Sequence, residues 1–172
     1  MNVNTDPSID TMINCLVENL QSQLEIHQVL LDALKDEGSL PASCSLAELS
    51  EVQSVRDFAV RRIQELERIR RVLIEQYKKV QGIQHRLSLK EIIEQCDSPH
   101  RDHLLELREG LQQIISEIRP VGRRNAEIAV ARISCFNEIQ KVYDKSFDRV
   151  STYSGNGVVT KAKGTSRMNR SI

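Results

Sequence analysis

Apolar residues recur three and four positions apart along most of the chain. In the first run, Ile9, Ile13, Leu16, Leu20, Gln23, His27, Leu30 and Leu34 keep this spacing, and Met12, Leu24 and Leu31 widen the stripe. Such a period gathers the side chains on one helical face, so the pattern predicts a long amphipathic helix over about 7–37. Asp6 offers an N-cap, Pro7 a first helical residue and Asp10 a first-turn acid, while Gly38 and Pro41 mark the end. Ser45-Leu46-Ala47-Glu48 then forms a capping box, in which the serine and glutamate side chains satisfy free amides at a helix start. Leu49, Val52, Arg56, Ala59, Ile63, Leu66, Arg70, Leu73, Tyr77 and Val80 carry the same spacing, predicting a second helix over about 46–81. At about 1.5 Å per residue each helix would be roughly 45–50 Å long. Their short connection makes them an antiparallel hairpin.

Residues 83–98 are less regular, although Ser88-Leu89-Lys90-Glu91 is a second capping box and predicts a short helix over about 89–95. The period resumes with Leu104, Leu107, Leu111, Ile114, Ile118, Val121, Ile128, Cys135, Ile139 and Val142, a third long helix over about 99–149. Pro120 lies inside it and removes a backbone donor, predicting a kink or break near Arg119–Gly122. From about Ser151 the helical pattern stops, and the Gly- and Ser-rich remainder has too little apolar surface to fold alone. No β pattern or repeat stands out. The expected fold is therefore all-α: a long antiparallel helical hairpin packed with a third long, Pro-kinked helix. It would form an elongated bundle over 1–150, followed by a flexible, disordered basic C-terminal tail over 151–172.

Composition narrows this picture. Three Phe, three Tyr and no Trp leave Leu, Ile and Val to supply nearly all the apolar mass, which suits narrow helix–helix seams. The zero net charge hides segregation, because all 24 acidic residues lie at or before Asp148. Arg149, Lys161, Lys163, Arg167 and Arg170 follow it, so the body carries −5 and the tail +5. Residues 1–55 hold nine acids against Lys35, whereas 56–90 hold ten Lys/Arg against four acids, which favours packing of the first segment on the second. No apolar run approaches the ~20 residues that span a bilayer. The first residues have neither a basic region nor an apolar stretch, so a cytoplasmic protein without stable membrane insertion is expected.

Little in the sequence supports catalysis. It has no Gly-rich phosphate loop, no GxSxG and no HExxH, so no catalytic residue is assigned and a binding protein rather than an enzyme is expected. Cys15, Cys44, Cys96 and Cys135 are widely spaced and read as free thiols. Cys96, His100 and His103 have metal-ligand chemistry, but no second ligand pair accompanies them. They read as a polar helix entrance, with no metal and no cofactor. The arginines at 61, 62, 68, 70 and 71 alternate with Glu65, Glu67 and Glu75 and spread around the helix, which suits a solvated charged face rather than nucleic-acid binding.

Aromatic residues concentrate near the end of the third helix. Phe136, Tyr143 and Phe147 stand at helical spacing with Ile133 and Ile139 nearby. Two readings remain open. The stripe could widen the core where this helix lies in the hairpin groove, or it could be surplus apolar surface for another protein's helix, since aromatic anchors dominate interface energetics. A homodimer, coiled-coil adaptor or self-associating scaffold built on the same stripe is a further alternative.

Three segments resemble the FlgN-type flagellar export chaperones: Leu24–Leu34, with its Leu-Glu-x-His-Gln-x-Leu-Leu-Asp-Ala-Leu run; Arg123-Arg124-Asn125-Ala126-Glu127-Ile128; and the tail, with Thr152-Tyr153-Ser154-Gly155-Asn156-Gly157 and a basic finish at Ser166–Arg170. The chain departs from the family pattern at Pro120 and at Gly122-Arg123-Arg124, where a second Asn is usual. The resemblance implies a cytosolic chaperone for the terminal helices of hook–filament junction proteins, which it would deliver to the export gate of the type III apparatus. It places client binding in the C-terminal half, where Ile128, Ile133, Phe136, Ile139, Tyr143 and Phe147 are the expected contacts. No ATP, cofactor or metal is implied.

Overall fold

The structure is a computed structural model that describes the backbone at 7–147, 152–153 and 159–160, and side chains at 9–145. Four helices follow in chain order: α1 (Pro7–Ser39), α2 (Leu46–Val80), α3 (Leu89–Gln95) and α4 (Ser98–Phe147). The fold is all-α, as the periodicity predicts. Two-residue strands β1 (Thr152–Tyr153) and β2 (Val159–Thr160) pair antiparallel, which no alternation in the sequence foretold. A ladder this short is far below what holds a sheet together alone. The Asp6 cap, the boundary expected at 150–151 and most of the expected tail lie outside the described residues. The chain divides after Asn125 into two compact units.

In the first unit, α1 and α2 form the antiparallel hairpin. Asn19 Nδ2 donates to the Leu66 carbonyl at 3.2 Å near the middle of the pair, and Arg56 pairs with Glu37 at 2.8 Å towards the connecting loop. Ile26, Leu30 and Leu34 of α1 are buried with Ala59 and Leu66 of α2, so apolar burial at ~1.5–3 kcal/mol per large side chain dominates the contact. The acidic and basic segments do pack together, but their charges are mostly satisfied elsewhere. Arg62–Glu65, Arg70–Glu67 and Lys78–Glu75 close within α2 at three-residue spacing, and Glu37–Arg56 is the cross-helix pair among the described residues. The bond from Asn19 to the Leu66 carbonyl ties α1 to one level of α2, and a buried polar ladder within α1 leads up to it. Gln23 Nε2 donates to Asn19 Oδ1 at 2.7 Å, and His27 Nδ1 meets the Gln23 carbonyl at 2.6 Å. No buried side-chain polar atom among the described residues lacks a partner.

Within this unit α4 runs parallel to α1. His100 meets Asn14, a Cβ at Gly110 would touch Leu24, and Asn125 Nδ2 donates to the Leu34 carbonyl at 2.7 Å. The short helix α3 closes the end of the bundle where α1 and α4 begin. Its Ile92 and Ile93 join Leu20, Tyr77, Leu87 and Leu104 in one core cluster, while Tyr77 Oη donates to Gln95. Both capping boxes form as read: Ser45 accepts from the Glu48 amide, Ser88 accepts from the Glu91 amide, and each glutamate accepts from its serine's amide at 2.7 Å.

Two sequence expectations change. Gly38 does not terminate α1 through a left-handed turn, because the helix continues through it to Ser39. Its missing Cβ makes room for Asn125, whose Oδ1 would lie 2.7 Å from a Cβ at that position. The left-handed glycine is Gly82, at φ +67, where Gly82 N donates to Lys79 O and Ile83 N to Lys78 O. This pair of bonds is a Schellman ending for α2. Nor does Pro120 break its helix, since α4 runs unbroken through it. Pro120 and Ser116 are both exposed, so the Ser116 carbonyl that loses its donor faces water rather than the core.

Candidate functional site: an exposed apolar face on α4

The seam of α4 alternates steps of three and four without a fault from Leu104 through Leu107, Leu111, Ile114, Ile118, Val121, Asn125, Ile128, Arg132, Cys135 and Ile139 to Val142. That is a heptad repeat, the pattern of a helix facing another helix. Burial does not follow it throughout. Leu104 is 0% exposed, Leu107, Leu111 and Ile114 are each 6% exposed, and Ile118 and Val121 pack against Ile26, Leu30 and Leu34. Ile128 is half-buried. Every residue from 129 to 145 is exposed.

Among the sequence-derived candidates, Ile133, Phe136 and Ile139 are each 62% exposed and Tyr143 is 61% exposed, whereas Ile128 is the half-buried margin of the face. The Phe147 side chain lies outside the described residues. Val142 (65% exposed) and Cys135 belong to the same surface, although the sequence reading grouped them with the buried seam. The unbroken heptad is the signal that joins them to it. Ile139, Val142, Tyr143 and Glu138 line a shallow depression whose walls are mostly apolar.

Such a surface is unstable on its own terms. A helix segment of this length with no covered face is marginal in water, since most helical stability in proteins comes from packing an apolar face. Scattered apolar residues need no explanation, but a contiguous row at seam spacing does. Charge surrounds the row sparsely: Lys141 pairs with Glu138 at 2.8 Å on the outer side.

The other chemistry-bearing positions are accounted for in the first unit. Cys96 caps α3 and packs against the core, where burial pushes its thiol above the ordinary range, helped by Asp97 and Asp10. His100 Nε2 lies 3.1 Å from Asn14 Oδ1, and His103 is exposed. No group of three or more metal-ligating side chains gathers among the described residues. Tyr77 is likewise pushed up by burial in the core. No helix among the described residues is long and apolar enough to cross a membrane.

Compared with known proteins, residues 12–161 match the family model described as FlgN protein. That match takes in all four helices except the first turn of α1. No curated protein and no solved structure matches the chain.

Proposed function

The chain belongs to the FlgN family of flagellar export chaperones, and from that membership we propose that it holds the terminal helices of hook–filament junction proteins in the cytoplasm and delivers them to the type III export gate. The observation that supports this reading is the face of Ile133, Phe136, Ile139 and Tyr143, which keeps the spacing of a helix–helix seam while exposed. A client's terminal helix has the complementary problem. It carries an apolar stripe that finds its partner only after assembly, and until then the stripe promotes aggregation. Laying one stripe on the other relieves both, by the helix-in-groove mode in which anchors three and four residues apart enter a partner surface. Ordering two segments on association costs several kcal/mol of the gross interaction, which keeps the complex releasable at the gate. The work is binding: no reaction, cofactor or metal enters it.

Co-purification with the junction proteins of the same organism tests the reading. Wild type retains them, and the Phe136→Ala/Tyr143→Ala variant loses them at unchanged helicity. Full retention by that variant refutes the site.

A further inference from the structure

The exposed stretch of α4 is apolar over a wider arc than one neighbouring helix covers. Ile128, Cys135 and Ile139 continue the seam that runs from Leu104 to Val121, and Arg132, which has a partner within the chain, lies on the same line. One residue further on, Ala129, Ile133, Phe136, Gln140 and Tyr143 also stand three and four apart and trace a second seam of the same period. At about 100° per residue the two seams are offset by about 100°, and the arc from Cys135 round to Ile133 is roughly 160° wide. A strict three-and-four stripe is narrower than about 100°. Glu127, Glu138, Lys141, Asp144 and Lys145 all keep to the rest of the circumference. The first half of α4 is built differently. There the positions matching the second seam include Arg108, Gln112 and Arg119, and the first seam alone supplies the buried residues Leu104, Leu107, Leu111 and Ile114.

Resting on the client-binding face proposed above, we propose that this face seats two helices of one partner chain, one along each seam, rather than a single amphipathic helix. The occupants are helices because a three-and-four repeat is met by side chains of another helix, as Ile118 and Val121 meet Ile26, Leu30 and Leu34 on the same seam. They are two because a helix laid along the first seam leaves Ile133 and Phe136 in water, and one laid along the second leaves Cys135 and Ile139 there. The charges of the stretch favour neither a lipid surface nor a nucleic acid, since Glu127, Glu138 and Asp144 balance Arg132, Lys141 and Lys145. Joined in one chain, the two helices bind more tightly than either alone, because the second contact is intramolecular.

Two synthetic probes test this on the full chain. One is a single amphipathic peptide of about four heptads, long enough to hold helix when bound, with leucine and alanine alternating along its seam to weaken self-association. The other joins two copies of that peptide through a short glycine-rich loop into a hairpin. Fluorescence anisotropy gives affinity, sedimentation gives stoichiometry, and circular dichroism confirms that each variant keeps its helicity. Wild type takes two single peptides per chain but one hairpin, and binds the hairpin at least about tenfold more tightly. Ile133→Glu/Phe136→Glu closes the second seam and Ile139→Glu the first, so each leaves one single peptide per chain and removes the hairpin's advantage. If wild type takes one single peptide per chain, or binds the hairpin no more tightly, while these variants weaken binding, the face is right but one helix wide, which overturns this inference alone. If neither probe binds, or the variants change nothing, the face itself is wrong and both proposals fall.

Discussion

The first and second halves of α4 carry one repeat and meet opposite fates. From Leu104 to Val121 the seam is buried or half-buried among Ile26, Leu30, Leu34, Leu20 and Ile92, and from Cys135 to Val142 the same seam is exposed. Hydrophobic periodicity therefore states that a helix expects a neighbour, without saying which molecule supplies it. In the first half the chain supplies its own. In the second we read the vacancy as the place of a client.

Truncating each half in turn should separate them most widely. Leu104→Ala removes a fully enclosed side chain and is expected to cost ~2–5 kcal/mol in urea denaturation. Ile139→Ala removes one 62% exposed and should stay within about 0.5 kcal/mol while client capture falls. Equal losses from the two would erase the contrast.

The junction between the halves gives the next effect. Alanine ordinarily stabilises a helix interior by about 1 kcal/mol over glycine. At Gly38 the added Cβ would sit 2.7 Å from Asn125 Oδ1, so Gly38→Ala should instead destabilise by ~1–2 kcal/mol. Combining it with Asn125→Ala should leave less damage than the two single losses added together, because the clash goes with the amide. Strict additivity in the double-mutant cycle would show that the two residues do not meet.

A smaller effect is set by pH. Glu48 and Glu91 accept from the amides and hydroxyls of Ser45 and Ser88, which hold their carboxyls below the ordinary value of 4.5. Their folded-state pKa is thus depressed relative to the unfolded chain. The stabilisation is present above about the ordinary value and is lost as pH falls through the lowered one. Acid titration of wild type against Glu48→Gln/Glu91→Gln should show the variant with a flatter stability profile below pH 4.5. Smallest of all is a difference in rate: at neutral pH Cys135 and Cys15, both exposed, should alkylate faster than Cys96, whose thiol is held protonated by burial. Mass spectrometry of partly labelled protein reads the order directly.

These expectations also mark what the sequence could show. The helices, their capping boxes and the α1 stripe, down to buried Gln23 and His27, follow from spacing alone because an amphipathic helix writes its buried face into its period. Three features did not. Ile92 and Ile93 lie deep in the core, but α3 is too short for a period to be recognised. Gly38 resembles a helix stop, and only the approach of Asn125, distant in sequence, reveals why a side chain is barred there. Pro120 argues locally for a break, yet its exposure lets water take the freed carbonyl. The candidate face itself was legible as residues and illegible as a surface, since burial and exposure of Phe136 are compatible with the same spacing.

Amide hydrogen exchange of the chain, alone and mixed with a hook–filament junction protein from the same organism, tests the central claim most directly. The account predicts that amides from 129 to 145 exchange fast in the free chain and slow by at least about tenfold on mixing, while those of the α1–α2 hairpin hold still. A complex that forms with exchange at 129–145 unchanged would contradict it.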